Sequence, residues 1–131
     1  DQRDQTAGRK APAEQRVSLE ARSGRRNAHL AKAIQIMADR MNDPISPGVI
    51  AEQVGSSTRQ LERLVGKCLN AAPKKYFMEL RLDRARNLLL QTESSVTDVA
   101  FACGFESPGH FSRVYRAAFG VTPMQQRSRL D

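Results

Sequence analysis

Residues 95–123, SVTDVAFACGFESPGHFSRVYRAAFGVTP, constrain this chain most, because they force two short amphipathic helices to meet at a glycine. Ser95 followed by Asp98 predicts a capping box, in which each side chain accepts from the backbone at the other end of the first helical turn. Val96, Val99 and Ala100 give that helix one apolar face. Gly104 ends it, since the residue past a helix end often adopts a left-handed backbone that glycine reaches without strain. Ser107 and Pro108 then start a second helix as cap and first-turn residue. Phe111, Val114, Tyr115 and Phe119 recur along it at the spacing of a buried stripe. Such a pair, with basic residues on the open side of the second helix, predicts a helix-turn-helix, whose second helix fits the major groove of DNA.

The same plan occurs earlier in the chain. Ser46 and Pro47 open a helix with Val49, Ile50 and Val54 turned inward, and Gly55 closes it. Ser57 caps the next helix, Gln60 completes a capping box, and Leu61, Leu64, Val65 and Cys68 form the inward stripe. Ala51, Gly55, Leu61, Arg63 and Pro73 correspond to Ala100, Gly104, Phe111, Arg113 and Pro123. Gly55 and Gly104 lie 49 positions apart, Leu61 and Phe111 50, so the second turn is one residue longer. A duplicated unit argues against chance similarity more strongly than either copy alone. The two units span about 46–69 and 95–119.

Between them, Pro73 to Gln91 reads as one helix, with Tyr76, Phe77, Leu80, Ala85, Leu88 and Leu89 supplying apolar surface. Nineteen residues make roughly 28 Å of helix, against roughly 34 Å per turn of B-DNA. The helix is therefore either a spacer between two reading heads or an ordinary core helix, and the flanking repeat favours the spacer. Upstream, Leu30, Ala33, Ile34, Met37 and Met41 predict a helix over 27–41, stopped at Asp43-Pro44. Downstream, Thr122 and Gln125 cap a short closing helix that begins at Pro123.

The stretch VAFACGFESPGHFSRVYRAAFGVTP resembles the C-terminal signature of the AraC/XylS family of bacterial transcription regulators. Ala100, Gly104, Phe105, Ser107, Phe111, Ser112, Arg113, Phe119, Gly120 and Pro123 carry the resemblance, which extends over roughly residues 28–129. It implies an all-α fold of about seven helices, two helix-turn-helix subdomains joined by a long linker helix, in a domain over 27–131. It also implies sequence-specific binding to double-stranded operator DNA at two half-sites in direct repeat. QLERLVGKCLN and ELRLDRARNLLLQTESSVTDVAFACGFESPGHFSR look most like members with an N-terminal glutamine-amidotransferase-like sensor domain. In those the sensor binds inducer and dimerises, and the protein activates catabolic operons through RNA polymerase.

A recognition helix presents its N-terminal residues to base edges while other groups hold phosphates. The exposed candidates are Arg59, Gln60, Glu62 and Arg63 in the first unit, and Pro108, Gly109, His110, Ser112 and Arg113 in the second. The family's base-reading positions fall on Arg59, Glu62 and Arg63, and on Gly109, His110, Ser112 and Arg113. Arginine can bond bidentately to guanine, and Glu62 can accept from cytosine or pair with a neighbouring arginine. Arg113 reads a base, holds a phosphate or forms an ion pair. Gly109 offers no side chain and Pro108 is stiff, which places more of the sequence preference on the first unit. Phosphate contacts are expected at the helix N-termini capped by Ser57 and Ser107, and from Lys67, Lys74, Lys75 and Arg116.

The remaining composition agrees. The chain has 131 residues and a formal net charge of +7, with a pI near 10.1, the electrostatic footprint of a polyanion partner. Residues 1–26 hold almost no large apolar side chain and read as a disordered basic linker, with Arg22, Arg25 and Arg26 available to phosphates. The Asp1 start suggests a piece of a longer protein. No apolar run is long enough to span a bilayer, and the N-terminus is too polar for a signal peptide, so a cytoplasmic, nucleoid-associated protein is expected. Cys68 and Cys103 have no metal-ligand spacing and read as buried thiols. Two scattered histidines and no glycine-rich phosphate loop argue against an enzyme, and no cofactor or metal is implied. A helical adaptor would leave the duplicated turn unexplained, and an RNA binder would lack its exposed aromatic platform.

Overall fold

In a computed structural model, residues 28–128 are described, and within them every regular element is a helix. There are seven: α1 (Ala28–Asp39), α2 (Pro47–Val54), α3 (Thr58–Leu69), α4 (Pro73–Gln91), α5 (Val96–Ala102), α6 (Pro108–Phe119) and α7 (Pro123–Ser128). The linker expected over 1–26, with Arg22, Arg25 and Arg26, lies outside the described residues.

Local side-chain chemistry sets the helix starts. Ser46 Oγ accepts from the Val49 amide at 3.3 Å, and Pro47 follows in the first turn of α2. The Ser57–Gln60 box on α3 is complete, and Thr122 and Gln125 make the same reciprocal pair at α7. At α5 only half of the expected box forms. Ser95 Oγ accepts from the Asp98 amide at 3.0 Å, and Asp98 supplies instead a negative charge in the first turn, favourable beside the positive end of the helix dipole. The α1 helix ends at Asp39, short of Met41, because the chain turns through Arg40 and Arg40 bonds to Asp43.

These helices enclose two cores. Leu30, Ile34 and Met37 of α1, Ile50 and Val54 of α2 and Leu61 and Val65 of α3 pack with Tyr76, Phe77 and Leu80 at the start of α4. Leu82, Ala85 and Leu89 at the other end of α4 pack with Val99 and Ala100 of α5, Cys103, Phe105, and Phe111 and Tyr115 of α6. With 3.6 residues per turn, the two sets on α4 lie on roughly opposite faces. The helix thus belongs to both heads, and α7 fastens its far end. Arg127 donates to the carbonyls of Leu89, Thr92 and Ser94, and Tyr115 Oη donates to Gln126 Oε1 at 2.9 Å.

Several expectations about burial need correction, and on α6 Val114 and Phe119 are half-buried at the margin of the stripe set by Phe111 and Tyr115. Val49 is 38% exposed, because Ile50 and Ala51 occupy the inward face of a helix only eight residues long. Leu64 is half-buried, at the margin of the α3 stripe. Cys68 is exposed, since Leu69 rather than Cys68 meets the core in the last turn of α3, whereas Cys103 is buried. Burial pushes the Cys103 thiol up to about 11, and the nearby Arg84 and Arg81 only partly offset this. A disulfide reagent at neutral pH is therefore expected to titrate Cys68 quickly and Cys103 only after denaturation. Fast reaction at both thiols would contradict this packing.

Candidate nucleic-acid interface

Each head exposes one strip of a helix. On α3, Arg59, Glu62, Arg63 and Lys67 are all exposed, opposite the buried Leu61 and Val65. Their spacing of three and four residues aligns them on one side of the helix. On α6, Gly109, His110, Arg113 and Arg116 are exposed opposite Phe111 and Tyr115. Among the described residues no ion pair ties Glu62 to an arginine, which leaves its carboxylate available to accept. Lys74 and Lys75, exposed in the first turn of α4, add positive charge at the end of the first head.

The start of each strip is built alike. Ser57 Oγ accepts from the Gln60 amide at 3.1 Å and Ser107 Oγ from the His110 amide at 3.1 Å. Each hydroxyl keeps its own hydrogen, at a helix N-terminus where amide groups and dipole favour a phosphate. Gln60 is more restricted than its exposure suggests. Its carboxamide oxygen accepts from the Ser57 amide at 3.0 Å, which leaves the amide nitrogen to donate. The two-point grip of a glutamine on adenine would require breaking that box.

The second strip differs from the first in shape. A Cβ at Gly109 would come 3.5 Å from Arg113 Nη1, so the guanidinium lies back along the helix over the space that glycine leaves open. His110 stands with its ring 6.1 Å from that of Phe105, tilted by 58°, and is supported from below by the core. Pro108 and Ser112, expected to be exposed, are both half-buried, because each sits beside the core-facing Phe111 stripe at the edge of the strip. Sequence reasoning missed Arg81, a buried arginine whose Nε donates to the Cys103 carbonyl at 2.8 Å and whose Nη2 donates to that of Gly104 at 2.9 Å. Burial lowers its pKa from the ordinary value, and the paired carbonyls compensate the cation. Its one mark in the sequence is a position between Leu80 and Leu82, in a helix that carries six other charged residues.

A family model described as a helix-turn-helix domain matches residues 50–129. A transcriptional regulator from Chromobacterium violaceum, described as having an AraC-type DNA-binding domain, superposes with a TM-score of 0.75 at 45% identity, over 79% of this chain and 92% of that one. This chain belongs to the AraC-type helix-turn-helix family. The AraC-type domain is also 42% identical over 115 residues to the HTH-type transcriptional regulator ArgR of Pseudomonas aeruginosa, covering 88% of this chain and 35% of ArgR. The HTH-type transcriptional activator RhaS of Escherichia coli O139:H28 is 37% identical over 95 residues, covering 72% of this chain and 34% of RhaS. The chain thus spans about a third of the length of these curated relatives, which are regulators rather than enzymes. Among the described residues no group of three or more His, Cys, Asp or Glu could hold a metal ion, and no helix is long and apolar enough to cross a membrane.

Proposed function

We propose that this AraC-type domain is the operator-reading part of a transcription activator of a catabolic operon, working in the cytoplasm on the nucleoid. Its two recognition helices, α3 and α6, enter successive major-groove faces at half-sites in direct repeat. The observation that carries the reading is the duplication itself. Two serine-capped helices with exposed arginines stand at opposite ends of one 19-residue helix, roughly 28 Å long against roughly 34 Å per turn of DNA. Two unlike heads on one chain have no two-fold symmetry, so the half-sites need not be palindromic.

Arg59, Glu62 and Arg63 carry most of the base discrimination, with His110, Ser112 and Arg113 adding to it. Gly109 contributes by its smallness, and Gln60 through its amide nitrogen. Ser57, Ser107, Lys67, Lys74, Lys75 and Arg116 hold phosphates. In the full-length protein an N-terminal glutamine-amidotransferase-like domain binds the inducer and dimerises, and bound activator recruits RNA polymerase. The name of RhaS as an activator supports the sign of regulation.

Arg63→Ala is expected to weaken operator binding by about 1–3 kcal/mol while leaving affinity for random duplex mostly intact. Fluorescence anisotropy on both duplexes at one salt concentration reads the difference. Equal losses on the two would assign Arg63 to phosphates and remove it from base readout.

A further inference from the structure

The two cores divide α4 between Leu80 and Leu82, and Arg81 occupies the division. Besides its bonds to the carbonyls of Cys103 and Gly104, its guanidinium carbon stands 4.3 Å from the centre of the Phe105 ring and 6.0 Å from that of Phe77. Phe77 belongs to the first core and Phe105 to the second. One buried cation therefore faces both cores and holds the turn between α5 and α6 against the middle of the linker helix.

The other side of that turn meets the first head. Gly104 has φ +83°, and a Cβ built on it would collide with the Met41 carbonyl oxygen and come within 2.6 Å of Pro44 Cδ and 2.9 Å of Pro44 Cγ. Met41 packs on the first core, and Pro44 lies in the same segment between α1 and α2. The corresponding glycine of the first head, Gly55, has φ +79° and nothing within 4 Å of the same imagined Cβ. The turn of a helix-turn-helix in this chain thus needs glycine for its backbone in both heads. Only in the second does it also need the absence of a side chain, because there the first head presses on it.

We infer that the contact of Arg81, Gly104 and the Met41–Pro44 segment locks the angle between the two heads and so selects the half-site spacing that the domain accepts. Arg81 and Gly104 are positioning residues that lie outside the strips on α3 and α6. A packed contact of this kind resists rotation about α4 that the helix alone would permit by bending. One base pair of added spacing turns the second half-site by about 35° and moves it by about 3.4 Å, a displacement that a locked pair of heads cannot follow. The consequence for DNA rests on the two-head reading above; the lock itself does not.

Two substitutions separate the lock from the folds it joins. Arg81→Met keeps an apolar stem but loses both donors, and Pro44→Ala trims the wall against Gly104 while leaving Arg81 and both cores intact. Spin labels on the exposed Cys68 of α3 and, in an Ala117→Cys variant, on the exposed position 117 of α6 report the distance between heads without DNA. Circular dichroism and binding to a single half-site check that each head stays folded. The parent protein is expected to give one narrow distance and to prefer one spacing over its ±1 base-pair neighbours by about tenfold or more, as simultaneous engagement requires. Both variants are expected to broaden the distance distribution and to cut that preference to below about threefold, with single half-site affinity unchanged. Unaltered distances and unaltered preference in both variants would overturn the lock. A parent protein indifferent to spacing would overturn the two-head reading instead, and the label distances would then decide the lock alone.

Discussion

Four alanines inserted between Arg81 and Leu82 are expected to abolish tight operator binding while both heads remain folded. The insertion point lies where the two cores part, since the fully buried set of the first ends at Leu80 on α4 and that of the second begins at Leu82. What the second head gives up is the edge packing of Met78 and the bonds of Arg81 to the Cys103 and Gly104 carbonyls. Four added residues lengthen the helix by about 6 Å and turn its far end by about 40°. The strip on α6 then no longer meets its groove when α3 is seated. Linked binding typically exceeds single-module affinity by about 10²–10⁴-fold and disappears when geometry forbids simultaneous engagement. The loss should therefore be of that order on a duplex with both half-sites, and close to nil on a duplex with one. Titration of both duplexes, with helical content as a control, gives the answer. Full affinity for the double site would contradict the two-head arrangement.

Phe111→Ala is expected to unfold the second head and spare the first. Phe111 is fully buried, with its ring 5.0 Å from that of Phe105 and 5.6 Å from that of Tyr115, and Tyr115 in turn lies 4.6 Å from Phe119. Deleting a buried phenyl ring costs about 3–5 kcal/mol, a large part of the 5–15 kcal/mol that typically stabilises a domain. The two cores share no buried residue, so the loss falls on one of them. Amide hydrogen exchange should show α5 and α6 opening at much lower denaturant than α2 and α3. Simultaneous loss of protection in all four helices would mean that the lock couples the heads into one cooperative unit.

Much of this architecture was legible in the sequence because it rests on local rules. Ser46, Ser57 and Ser107 each accept from the amide three residues on, as such residues do at helix starts, and the repeat of that pattern announced the two heads. What was not legible depends on which side of a helix finds a neighbour. The apolar residues of α4 read as one surface, yet they serve two cores on opposite faces, so no single stripe in PKKYFMELRLDRARNLLLQ marks the division. Cys68 continues the stripe of Leu61, Leu64 and Val65 at correct spacing, and is exposed because Leu69 takes the core-facing place in the last turn of α3. Arg81 drew no reading of its own, being one of seven charged residues along α4.

The candidate site followed the same divide. Exposure of Arg59, Glu62, Arg63, His110 and Arg113 was readable from their positions opposite apolar stripes. The commitment of Gln60 to its capping box was readable too, since the same spacing that nominates it as a reader also nominates it as a cap. The placement of the Arg113 guanidinium over Gly109 required coordinates. A Cβ at position 109 would make only an ordinary van der Waals contact with that guanidinium, so the placement by itself does not demand glycine.

The most direct test is selection of bound sequences from a random duplex pool by residues 1–131, carried out at two salt concentrations. Two enriched blocks in direct repeat, about one helical turn apart and retained at the higher salt, are the predicted result. A single block, or enrichment that vanishes with added salt, would contradict a domain that reads its operator with two heads.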